Sequence, residues 1–104
     1  IIVLYNQKIS AEKFSMLNGR IVFCDNSTDA EIKNYNVSYV ENLKNDRIFY
    51  LDMHGNKGLS KAYNSAIANL SLNENDFVVI FDQDTLIPQD MQLRYENFIS
   101  KNPA

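Results

Sequence analysis

Four short apolar-rich runs divide this chain: "IIVLY" at residues 1–5, "IVFC" at 21–24, "RIFYLD" at 47–52 and "FVVIF" at 77–81. Each has the length of a strand, and none shows the clean polar alternation of a sheet with one face in water. Helical patterns lie between them. Leu59, Ala62, Tyr63, Ala66, Ile67 and Leu70 fall at i, i+3, i+4, i+7, i+8 and i+11, the clearest amphipathic helix in the chain. Ile9, Phe14 and Leu17 follow a weaker helical spacing, with Ser10 as N-cap. In "STDAEIKNY", Thr28 and Glu31 have capping-box spacing. Pro88 suits the first turn of a last helix carrying Met91, Tyr95, Phe98 and Ile99. Residues 37–46 are ambiguous and read as a short edge strand at "VSYV" followed by a polar loop. Strands alternating with helices predict right-handed βαβ crossovers. The expected fold is α/β, a three-layer α/β/α sandwich around a mainly parallel sheet.

Length and composition narrow the class. A chain of 104 residues is the size of one domain with one core. With 45% hydrophobic and 22% charged residues, it is not a disordered segment. The net charge of −3 and ten scattered basic residues argue against a nucleic-acid partner or a polybasic membrane patch. No apolar run approaches the roughly 20 residues of a membrane span, and "IIVLYNQ" lacks the leader and core of a signal peptide. The single Cys24 excludes an internal disulfide and fits a reducing, cytoplasmic setting. Sequons at Asn26, Asn36 and Asn69 would matter only in a secretory pathway. Because the chain opens on a strand without an initiator Met, it is expected to be part of a longer protein.

Each strand ends in a polar cluster. The first ends in Tyr5 and Asn6, the second in Asp25, Asn26 and Ser27. The third runs into "HGNKG" at residues 54–58, and the fourth into Asp82, Gln83, Asp84 and Thr85. In an open α/β sheet, ligands bind outside the carboxyl ends of the strands, so four clusters on one rim outline one site. Any single cluster is about as readily a polar loop that supplies an N-cap. "HGNKG" matches neither GxGxxG nor a P-loop. Its two glycines still allow close backbone approach before a helix N-terminus, which favours an anion. Lys57 and Lys61 flank that turn, placed either to meet a diphosphate or to be solvated.

Asp82 and Asp84 are one residue apart at a strand end, so both side chains can point to one side. Their repulsion calls for a compensating charge, and Mg²⁺ or Mn²⁺ would supply it while taking other ligands from water and substrate phosphates. The plainer alternative has Asp84 capping the next helix and Asp82 solvated. Cys24 reads as a core residue. His54, the only histidine, lacks partner ligands at zinc spacing and reads as a loop residue or substrate contact.

The segments "IIVLYN", "VFCDNSTD", "GNKGLSKAYNSAI" and "VVIFDQDT", in that order, resemble the nucleotide-binding half of family 2 glycosyltransferases with the GT-A fold. The likeness spans nearly the whole chain; each motif is loose, and their order and spacing carry the specificity. It implies a Rossmann-like, truncated GT-A fold. Residues 1–104 would be a single nucleotide-sugar-binding donor domain, the N-terminal part of a longer glycosyltransferase. Tyr5, Asn6 and Asp25 would surround the base of a nucleoside-diphosphate-sugar, and Asn56, Gly58 and Lys61 would line the turn beside base and ribose. Asp82 would face the ribose or sugar, and Asp84, with Asp82 beside it, would bind Mn²⁺ or Mg²⁺ on the diphosphate. The form Asp-Gln-Asp-Thr is similar to rhamnosyltransferase-like members, which would imply a dTDP-linked donor, with a UDP-linked one as the alternative. The acceptor would be a saccharide or lipid-linked hydroxyl, and the setting the cytoplasm or the inner face of a bacterial membrane.

Two features depart from the family pattern. Residues 37–50 are longer than the usual link, and the chain stops about one helix after the acidic pair. The acceptor-binding half and its general base would follow there, so no catalytic residue is assigned. Two other readings compete. One is a non-catalytic nucleotide-sugar-binding half-domain. The other is a haloacid-dehalogenase-like phosphatase with an aspartate nucleophile. The phosphatase pattern D-x-D-x-[TV] sits on a first strand, whereas here the pair follows the fourth and Leu86 holds the last position.

Overall fold

The computed structural model describes residues 1–10, 19–73, 76–82 and 91–101. Strands β1 (Ile2–Leu4), β2 (Ile21–Asp25), β3 (Ile48–Asp52) and β4 (Phe81–Asp82) pair in the order β3-β2-β1-β4. Every pairing is parallel. Helices α1 (Ala30–Leu43), α2 (Leu59–Leu70) and α3 (Met91–Lys101) complete the described elements.

The sheet is covered on both faces, as its apolar strands require. Val3, Val22 and Cys24 pack with Ala62, Ala66 and Leu70 of α2. Ile2, Leu4, Ile21, Phe23 and Phe81 face the other way and pack with Tyr39 and Val40 of α1. Period-two alternation in the strands thus makes two half-cores, and the α/β/α layering follows. Small Ala62 and Ala66 are fully buried and let α2 lie close to β2, where the Cys24 Sγ reaches the Ala62 carbonyl at 3.6 Å. Leu59 and Ile67, apolar by spacing, are exposed instead.

Three local expectations are corrected. Residues 37–40 belong to α1 rather than to an edge strand. That helix is capped by Asp29, not Thr28: the Asp29 Oδ1 accepts the Glu31 and Ile32 amides at 2.9 and 3.2 Å. The Thr28 hydroxyl is taken by the Asn6 Nδ2 at 3.2 Å. The fourth strand is shorter than "FVVIF", because Ile2 lies opposite Phe81 and residues 77–80 precede that ladder. Ile80 remains 44% exposed. The helix expected behind Ser10 falls on residues outside those described, as does Pro88; Ile9 is buried in the half-core against which Tyr39 and Val40 of α1 pack.

Candidate functional site

From β1 the chain steps outward to β2 and β3, then returns to the other side of β1 with β4. The order of connection therefore reverses between β1 and β4, the kind of switch point where open α/β sheets form a crevice at their carboxyl ends. Register sets Leu4, Asp25 and Asp52 in one row and Val3 beside Asp82. The polar residues that follow β1, β2 and β3 consequently share one edge with the end of β4.

Tyr5 and Asn6 leave β1 at that edge. Asn6 is left-handed, with φ of 49°, a conformation asparagine tolerates better than most residues. Its amide donates to the Ser27 Oγ at 2.7 Å, and its Oδ1 accepts the Thr28 and Asp29 amides, both at 2.9 Å. The Asn6 side chain thereby ties β1 to the start of α1. Tyr5 is 48% exposed beside it.

The glycine turn is joined to the same edge through Asn26. Its buried carboxamide donates to the Gly58 carbonyl at 3.3 Å and accepts the Lys57 amide at 3.4 Å. Asn56 folds back on the turn, its Oδ1 accepting the Gly58 amide at 3.2 Å. Gly58 precedes α2 with φ of 84°, in a region closed to residues with a Cβ, and no side chain caps this helix. The first amides of α2, with exposed Lys61 in the same turn, form an end suited to an anion.

Asp25 is placed differently. It is fully buried beneath the edge, and its carboxylate accepts the Ser27 amide at 3.0 Å, the Asn36 Nδ2 at 3.0 Å and the Tyr50 hydroxyl at 2.7 Å. Burial first, and then the bond to Asp25, push the Tyr50 hydroxyl well above its ordinary pKa, so it stays a donor. Asn36 and Tyr50 stand outside the strand-end clusters. The signal for Asn36 was a polar residue four after Ile32 and three before Tyr39, on the inward face of a helix. Because Asn26 and Asn36 are buried and hydrogen-bonded, neither presents its sequon.

His54 is a turn residue at φ of 58°, its amide on the Asp52 Oδ1 at 2.7 Å. Burial would raise the Asp52 pKa, but the His54 amide and Lys33, at 3.1 Å, outweigh it and hold it below the usual range. The Cys24 thiol is pushed up to about 11 by burial, as befits a core residue.

Asp82 ends β4 at the switch point, and Asp84 lies outside the described residues. Among the described residues no three His, Cys, Asp or Glu side chains gather as a metal site. A magnesium-type ion needs only one or two carboxylates when phosphates and water complete its shell, so the oxygen donors of Asp82 and Asp84 fit such an ion by type. Among the described residues, no helix is long and apolar enough to cross a membrane.

Residues 5–104 match the family model described as Glycosyl transferase family 2. No curated protein and no solved structure matches the chain. With nearly its whole length inside that match, on a parallel α/β sheet whose polar ends share one edge, the chain belongs to glycosyl transferase family 2.

Proposed function

We propose that this chain is the donor-binding domain of a transferase that moves a sugar from a nucleoside-diphosphate-sugar to an acceptor hydroxyl. The observation that carries the reading is the switch point itself: the connection reverses between β1, which leads into Tyr5 and Asn6, and β4, where Asp82 stands opposite Val3. Tyr5 and Asn6 face the base, Asn56, Gly58 and Lys61 line the turn beside base and ribose, and Asp82 faces the ribose or sugar. The uncapped start of α2 is the anion-favouring end. Asp84, with Asp82, holds Mn²⁺ or Mg²⁺, which when bound supplies positive charge to the departing diphosphate. The acceptor oxygen forms its bond to the anomeric carbon as the sugar's bond to the diphosphate breaks. The acceptor's proton passes to a general base.

The donor is UDP- or dTDP-linked, the latter favoured by the rhamnosyltransferase-like form of residues 82–85. The acceptor is a saccharide or lipid-linked hydroxyl, met in the cytoplasm or at the inner face of a bacterial membrane.

Calorimetry with UDP and dTDP, with and without Mn²⁺, tests the reading. Metal-dependent binding of either nucleotide is expected, and a folded sample that binds neither under any condition refutes it. In the same assay Asp84→Asn removes the metal dependence and leaves the fold intact. A metal effect that survives the substitution shows the ion to be held elsewhere.

A further inference from the structure

Asn36 sits in the middle of α1, outside the strand-end clusters, yet it is fully buried and its carboxamide is engaged at both ends. Its Oδ1 accepts the Ile9 amide at 2.9 Å, while its Nδ2 donates to the Gln7 carbonyl and to the Asp25 Oδ2, both at 3.0 Å. Tyr50 donates to that same carboxylate oxygen at 2.7 Å. One buried cluster therefore joins α1, the end of β2, the middle of β3 and the backbone of residues 7–9.

An apolar set at these positions would hold α1 on the sheet without the desolvation that buried polar groups incur. What the polar set adds is direction. Hydrogen bonds to the Ile9 amide and the Gln7 carbonyl fix the path of the backbone, which apolar packing does not. Just before this segment stand Asn6, tied to Ser27, Thr28 and Asp29, and the half-exposed Tyr5. Residues 5–9 are thus held at both ends, with Tyr5 at the rim.

We propose that Asp25, Asn36 and Tyr50 form a positioning device for nucleoside recognition, holding residues 5–9 so that Tyr5 meets the base while the cluster itself touches no ligand. The proposal rests on the donor-site reading above, and it moves Asp25 from the base contact that the family resemblance implied to a support that acts through Tyr5.

The test titrates wild type, Asn36→Ala, Tyr5→Ala and the double variant with UDP, dTDP and inorganic pyrophosphate, each with Mn²⁺, where circular dichroism shows every sample folded. Asn36→Ala is expected to weaken binding of the better nucleotide about tenfold or more, and pyrophosphate by about twofold at most. The double variant should bind no more weakly than Tyr5→Ala alone, because residues acting as one unit do not add. Parallel loss of pyrophosphate affinity, additive losses, or unchanged nucleotide affinity each overturn the proposal. If Asn36→Ala does not fold, Tyr50→Phe takes its place. Its expected loss is smaller, about threefold, again for the nucleotide alone, and equal affinity for all ligands overturns the proposal. A wild type that binds no nucleotide defeats the donor-site reading, and the positioning role with it. A wild type that binds, beside an indifferent variant, defeats the positioning role alone.

Discussion

A carboxylate at the end of an apolar strand can serve a ligand or the fold, and Asp25 is wholly engaged within the fold. Its partner Tyr50 makes that engagement measurable by pH. The folded pKa of Tyr50 is raised, so its contribution to stability is full below the unfolded value of about 10 and is lost as pH rises above it. Wild type should therefore lose urea resistance more steeply than Tyr50→Phe above about pH 10, while being about 1 kcal/mol more stable at neutral pH. Equal slopes would show that the hydroxyl is not protected. At this scale the polar clusters were legible because Tyr5, Asn6, Asp25 and Asn26 sit where apolar runs stop. Which of them turn inward was not legible: Asp25 and Asn36 are eleven residues apart and meet only when α1 packs on the sheet.

The elements were legible in proportion to their periodicity. α2 was readable to its ends, because a full apolar stripe and Gly58 mark them. α1 was half-missed, since Val37, Tyr39 and Val40 carry strand propensity that the helix overrides by packing Tyr39 and Val40 on the sheet. Its cap lies one residue later than the spacing implied, because the Thr28 hydroxyl is bonded to Asn6 from another part of the chain. Gly58 carries the element-scale prediction. At φ of 84° and ψ of 168°, with nothing within 4 Å of an added Cβ, Gly58→Ala is penalised by backbone conformation rather than by collision. It should lower stability by about 1–3 kcal/mol in urea unfolding. An unchanged midpoint would mean that α2 starts elsewhere in the variant.

At the scale of the whole molecule, a ligand that binds only the folded chain must stabilise it. A nucleoside diphosphate with Mn²⁺ at about 100 times its dissociation constant contributes about 2.7 kcal/mol, a rise of about 10–20 °C in Tm for a domain this small. The shift should need both nucleotide and metal, and differential scanning fluorimetry checks it; a Tm indifferent to both contradicts the donor site. By itself the sequence determined the strand and helix alternation, the parallel α/β class and the polar character of each strand end, since these follow from local apolar periodicity. Only the tertiary structure decided the strand order, and with it the switch point that brings the end of β1 beside β4. It also decided that Asp25 turns inward to Asn36 and Tyr50. Those facts depend on contacts between residues distant in the chain, and local pattern does not encode which distant partner a buried polar group meets.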